Sequence, residues 1–132
     1  MADEDNDRPG VIVIDGDGDV RSLLEAMLEV TEDFRLLGVA EDADTGIELA
    51  AALQPDAIVF DLDLPQHGGA QILPLLRVAC PGSRIIVFSA TPDPLTLVEV
   101  LRHGADEYID KARAWADLLP TMALLCGAAR TA

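Results

Sequence analysis

Three unbroken apolar runs, at residues 11–14 (VIVI), 57–60 (AIVF) and 85–88 (IIVF), set the tightest limit on what this chain can fold into. Each is rich in β-branched or aromatic side chains, and each stops at a polar residue. A strand with one wet face alternates apolar and polar positions. A run without alternation must be buried on both sides, which is the condition of a strand inside a parallel sheet. Two weaker strand candidates, Arg35–Ala40 and Glu107–Asp110, complete a set of five.

The intervening segments repeat with helical spacing. Val20, Leu23, Leu24, Met27 and Leu28 fall at i, i+3, i+4, i+7 and i+8, one stripe of a helix. Ile47, Ala50 and Ala51 mark a second helix ending before Pro55. Residues 72–78 mark a third, in which Pro74 should sit in the first turn or kink the helix. Leu97, Val98 and Leu101 give a fourth, stopped by Gly104. Trp115, Leu118, Leu119, Met122 and Cys126 give a fifth, where Pro120 implies a kink or a late start. Strand and helix thus alternate five times at βα spacing, which predicts an α/β domain with helices on both faces of a parallel sheet. Ligands in such folds bind at the carboxyl ends of the strands, where strand order reverses.

Those ends carry Asp15, Asp61 and Ser89, with Lys111 just past the fifth strand. An aspartate alone at such a position serves equally well as a turn or helix cap. Together, two carboxylates, a hydroxyl and an ammonium are the parts needed to build and hold an acyl phosphate. One carboxylate attacks phosphorus, and cationic and hydroxyl donors bind the phosphoryl oxygens. Lys111 stands out because it is the one lysine among nine basic residues. Elsewhere the chain uses arginine, which differs in shape and hydration.

In their order and spacing these segments resemble the receiver domains of bacterial response regulators. PDAIVFDLDLPQHGG resembles the phosphoacceptor segment, with Asp61 followed by Pro65 and Gly69. RIIVFSA resembles the fourth strand ending in Ser89, and HGADEYIDKA the fifth, with Tyr108 and Lys111. VIVIDGDGDVRSLLEAML resembles the opening strand, acidic turn and first helix. The resemblance implies a flavodoxin-like (βα)5 three-layer sandwich whose parallel five-stranded sheet has strand order 2-1-3-4-5. It also implies that Asp61 accepts a phosphoryl group, with Mg²⁺ held by Asp15, Asp61 and the main-chain carbonyl of Asp63. The donor would be a sensor histidine kinase, a phosphotransfer protein or a small phosphodonor. Ser89 and Tyr108 would act as switch residues, remodelling the face made by the fourth helix, fifth strand and fifth helix. That face is the candidate surface for a homodimer.

Two departures qualify the resemblance. The family usually has two consecutive acids after the first strand, and here the second is Gly16. Losing that ligand should weaken Mg²⁺ binding by about tenfold, with Asp17 the candidate substitute. Ala112 stands where a proline usually follows the lysine, as in receivers fused to helix-turn-helix output domains. The alternatives are a pseudo-receiver, a protein-interaction module that is never phosphorylated, and a haloacid-dehalogenase-like phosphohydrolase. In the latter Asp61 would be the nucleophile and Asp63 the general acid, but that motif belongs near the start of a larger chain. An EF-hand reading of Asp15, Asp17 and Asp19 fails, because Val20 and Ala26 occupy the positions that need Gly and Glu.

A formal charge of −15 over 132 residues argues against direct binding of nucleic acid or anionic membrane by this segment. Asp3, Glu4, Asp5 and Asp7 read as part of a solvated acidic tail over residues 1–9, with the receiver over 10–132. An acidic start without a signal-peptide pattern, no long apolar span, and two cysteines (Cys80 and Cys126) without metal-ligand spacing point to a cytoplasmic domain.

Overall fold

The computed structural model describes residues 7–64, 69–90 and 93–127. Five strands alternate with five helices along the chain: β1 (Gly10–Ile14), α1 (Gly18–Val30), β2 (Arg35–Ala40), α2 (Ala43–Leu53), β3 (Ala57–Asp61), α3 (Gly69–Ala79), β4 (Arg84–Ser89), α4 (Pro94–Arg102), β5 (Glu107–Asp110) and α5 (Ala114–Cys126). A short 3₁₀ turn, Lys111–Arg113, joins β5 to α5. The strands form one sheet in the order β2-β1-β3-β4-β5, and every neighbouring pair is parallel.

The unbroken apolar runs are explained by the two cores they serve. Ile12, Ile14, Ile58, Phe60, Ile85 and Val87 point to one face, against Ala50 of α2, Leu73 and Leu76 of α3 and Val100 of α4. Their alternates Val11, Val13, Val59, Ile86 and Phe88 point to the other, against Leu24 and Leu28 of α1 and Leu118 and Met122 of α5. With about 1.5–3 kcal/mol for each large apolar side chain buried, both layers are needed and neither face can be given up to solvent. The edge strand β2 is only partly covered along most of its length. It also carries an extra residue opposite the step from Val11 to Ile12 in β1.

Helix ends follow local chemistry. Asp17, Asp42 and Asp93 cap α1, α2 and α4 with side-chain oxygens that accept main-chain N–H groups. After α4, Gly104 turns the chain with φ of +118°, a conformation few other residues adopt. Both prolines lie inside their helices, which excludes the first-turn position for Pro74 and the late start at Pro120. The third helix begins at Gly69, so Pro74 is its sixth residue and lies beyond the first turn. The fifth helix runs through Pro120 from Ala114 onward. Both prolines face solvent, where water can satisfy the carbonyl that each ring leaves without a helical donor.

At the end of the sheet where β4 and β5 begin, Asp106 and Arg77 tie three elements together. Asp106 Oδ2 accepts from the Ile85 N–H at 2.8 Å and from Arg77 at 3.0 Å. Arg77 also donates to the Gly104 carbonyl at 2.6 Å. Of the expected acidic tail, residues 1–6 lie outside the described residues, while the Pro9 carbonyl accepts from Arg35 N–H at 2.9 Å. Both cysteines are free thiols. No helix among the described residues is long and apolar enough to cross a membrane.

Asp106→Ala should cost about 1–3 kcal/mol, because it strands the Ile85 N–H and removes the ion pair with Arg77, whereas Asp106→Asn keeps an acceptor and should cost less. Urea unfolding of the three proteins checks the order.

Candidate functional site

All five strands run the same way, so their carboxyl ends form one edge of the sheet. Ile14 pairs with Phe60, Asp61 with Phe88, and Ser89 with Asp110. That register brings Asp15, one step past β1, beside Asp61 at the end of β3. Lys111, one step past β5, reaches back toward both. Chain order reverses around β1, with β2 on one side and β3 on the other, so the site lies where ligand sites in such sheets are found.

The Lys111 ammonium stands 3.4 Å from Asp15 Oδ2 and 3.2 Å from Asp61 Oδ1. Its cationic end also lies 5.2 Å from the centre of the Phe88 ring. Asp15 is fully buried and Asp61 nearly so. Asp15 Oδ1 accepts from the Asp17 N–H at 2.8 Å, and Asp61 Oδ1 from the Asp63 N–H at 2.8 Å. Asp15 Oδ2 is buried and has no hydrogen-bond partner among the described residues, the Lys111 contact being an ion pair only.

Burial pushes the Asp15 carboxyl up to about 6; the Asp17 N–H and Lys111 pull the other way, and the Asp61 charge adds to the rise. Burial also works against the charge on Lys111, but the Asp61 and Asp15 carboxylates outweigh it and hold the ammonium above its usual value.

The remaining candidates divide. The Asp63 side chain reaches β4: its carboxylate accepts from the Ser89 hydroxyl at 3.2 and 3.4 Å and from the Ala90 N–H at 3.1 Å. Asp17 is exposed, and its Oδ1 accepts from the Asp19 N–H at 2.9 Å and the Val20 N–H at 3.3 Å. The Tyr108 ring packs against the core on the α3 and α4 side, and its hydroxyl is buried with no hydrogen-bond partner among the described residues. Pro65 lies outside the described residues.

Sequence reasoning missed three contacts, two of them made by residues it had named, Ala112 and Asp63. Arg21, one turn into α1, donates to the Asp15 carbonyl at 2.8 Å and braces the loop that carries the carboxylate. Ala112 donates its N–H to Asp110 Oδ1 at 2.9 Å, a bond that proline at this position could not make. The third is made by the Asp63 carboxylate itself. Val20, Phe88, Ala90, Lys111 and Ala112 line a hollow beside the lysine.

Among the described residues no group of three or more His, Cys, Asp or Glu side chains is placed to hold a metal. Two buried carboxylates, one with an oxygen lacking any hydrogen bond, still suit a hard cation that keeps most of its water. Mg²⁺ is commonly bound through one or two carboxylates in that way.

The family model for the response regulator receiver domain matches residues 11–123. This chain belongs to that family. Among curated relatives, the receiver is 33% identical over 112 residues to the nitrate/nitrite response regulator protein NarL of Escherichia coli, covering 85% of this chain and 52% of that one. It is 35% identical over 106 residues to a protein-glutamate methylesterase/protein-glutamine glutaminase of Maricaulis maris, covering 79% of this chain and 26% of that one. The receiver thus spans about half or less of these relatives' length, and the esterase activity in the second name is said of that protein. Among solved structures, it superposes on the response regulator domain of Thermotoga maritima CheB with a TM-score of 0.82 at 26% identity, over 91% of this chain and 97% of that one. A LuxR-family two-component response regulator from an Aurantimonas species gives 0.83 at 25% identity, over 91% and 86%. The flavodoxin-like fold and the 2-1-3-4-5 strand order expected from sequence are those of the receiver.

Without a divalent cation, Asp15 should make the receiver less stable at neutral pH. The unfolded carboxyl loses its proton near 3.8 and the folded one near 6, so its contribution is full below the lower value and is lost as pH rises through the upper one. Asp15→Asn should therefore be more stable than wild type by about 1–3 kcal/mol at neutral pH, with the gap closing at acid pH. Denaturant titrations in chelator at the two pH values check this; no gap at neutral pH contradicts it.

Proposed function

We propose that this receiver accepts a phosphoryl group on Asp61 from a sensor histidine kinase or phosphotransfer protein. The observation that carries the reading is the Lys111 ammonium held within 3.4 Å of both Asp15 and Asp61 at the open end of the sheet. An Asp61 carboxylate oxygen attacks phosphorus, the bond from phosphorus to the donor nitrogen breaks, and the imidazole leaves with the electron pair. The product is an acyl phosphate. Lys111 offsets the negative charge gathering on the phosphoryl oxygens, and the Ser89 hydroxyl donates to one of them. Asp15, Asp61 and the Asp63 main-chain carbonyl would hold Mg²⁺, which when bound supplies further charge compensation at those oxygens. Asp17 could join them only by giving up its cap on α1, at a cost of about 1 kcal/mol.

Signalling then passes through the α4–β5–α5 face. Leu97 of α4 and Leu124 of α5 are exposed there beside the partly buried Tyr108, and Leu95, Val98 and Leu101 are exposed elsewhere along α4. An apolar surface of that kind suits a second copy of this chain or an output partner. The charge of −15 favours a protein partner over nucleic acid, and a cytoplasmic setting fits kinase-dependent signalling.

Gly16 favours a second reading, a pseudo-receiver that works through its surface without phosphorylation. Acetyl phosphate with magnesium separates the two. The intact protein should gain the mass of one phosphoryl group, and Asp61→Asn should gain none; an unmodified wild type would establish the pseudo-receiver instead. For the metal, Gly16→Asp should tighten Mg²⁺ binding about tenfold, while Asp17→Ala should mainly lower stability by about 1 kcal/mol. Magnesium titrations of both variants check the contrast, and a large loss of affinity in Asp17→Ala would restore Asp17 as a ligand.

A further inference from the structure

The Ser89 hydroxyl has a single hydrogen to give. In this structure it is directed at the Asp63 carboxylate, 3.2 and 3.4 Å from the two oxygens, and the same carboxylate accepts from the Ala90 N–H at 3.1 Å. Asp63 therefore bridges two strands. It sits two residues past the β3–β4 pair Asp61–Phe88, and the Leu62 N–H still donates to the Phe88 carbonyl at 3.0 Å. From there its exposed side chain closes over the last residue of β4 and the one after it. Those two residues begin the connection to α4, the helix with the exposed apolar face.

We propose that the Asp63 carboxylate is a latch that holds Ser89 and the start of the β4–α4 connection in the resting arrangement. The inference rests on Asp61 being the phosphoacceptor. A phosphoryl group there opposes the latch twice. Its oxygens compete for the one hydroxyl proton of Ser89, and its negative charge builds up beside the Asp63 carboxylate, whose own N–H already donates to Asp61. Releasing Asp63 takes its carboxylate away from both the Ser89 hydroxyl and the Ala90 N–H. Asp63 is thus a positioning residue: it acts on phosphorylation through Ser89, and its side chain sets how much of the binding energy at Asp61 is spent on opening that contact.

The first test needs no phosphate. In the unmodified protein, solvent exchange of the Ala90 amide, read by NMR, should speed up about fivefold in Asp63→Ala, the loss of roughly one hydrogen bond. Asp63→Asn retains a side-chain acceptor and should stay near wild type. An Ala90 amide indifferent to Asp63→Ala overturns the latch. The second test is a double-mutant cycle on the affinity for beryllofluoride with magnesium, used as the phosphoryl mimic. Asp63→Ala leaves the main-chain carbonyl in place and should bind the mimic about fivefold more tightly. In a Ser89→Ala background the same change should give a clearly smaller gain, the part that comes from removing the Asp63 charge alone. Equal gains in both backgrounds would mean that charge repulsion alone is at work, and the latch is overturned while the phosphoacceptor reading stands. A wild type that takes up neither the mimic nor the mass from acetyl phosphate overturns the phosphoacceptor reading, and the amide-exchange result still decides the latch.

Discussion

Two carboxylates buried side by side are tolerable in this molecule because one ammonium sits between them. Removing a carboxylate from water costs several kcal/mol even after the protein relaxes, and Asp15 and Asp61 are both nearly inaccessible. Lys111 answers both charges from a single position. It does so only because β1, β3 and β5 end at the same edge of the sheet, which requires every crossover to place its strand parallel to the last. The geometry of the whole fold is therefore expressed in two distances of 3.2 and 3.4 Å.

The compensation is incomplete. The proton affinity of Asp15 stays raised, and Asp15 Oδ2 has no hydrogen bond among the described residues. A site left short of positive charge in this way is suited to a further cation. The same shortage makes Gly16 consequential, since a third acid would deepen it in the empty state and strengthen it as a cation site.

Much of this was legible in the sequence because the signals were redundant. Residues 11–14, 57–60 and 85–88 had to be doubly buried strands, and the polar residue closing each run had to emerge at one edge. Even the weak strands Arg35–Ala40 and Glu107–Asp110 came out with the expected limits. What was not legible depends on direction, which spacing does not encode. Nothing in the string DLD says that the second carboxylate turns toward β4 while the first turns toward Lys111. Asp17 follows the same logic: an aspartate before a helix can cap or coordinate, and only its contacts with the Asp19 and Val20 N–H groups distinguish the two. The prolines were ambiguous for a related reason. Pro74 and Pro120 are tolerated inside α3 and α5 because they fall on the wet sides of their helices, a property of rotation about the axis rather than of position in the chain.

The placement of the lone lysine so late in the chain has a consequence for synthesis. As the polypeptide leaves the ribosome, both acids of the site and the three inner strands that frame them emerge well before residue 111. A nascent sheet that closed at that stage would trap a pair of like charges with no counterion of its own. The like-charged pair thus makes a partly made sheet less stable than the completed domain, in which Lys111 is present.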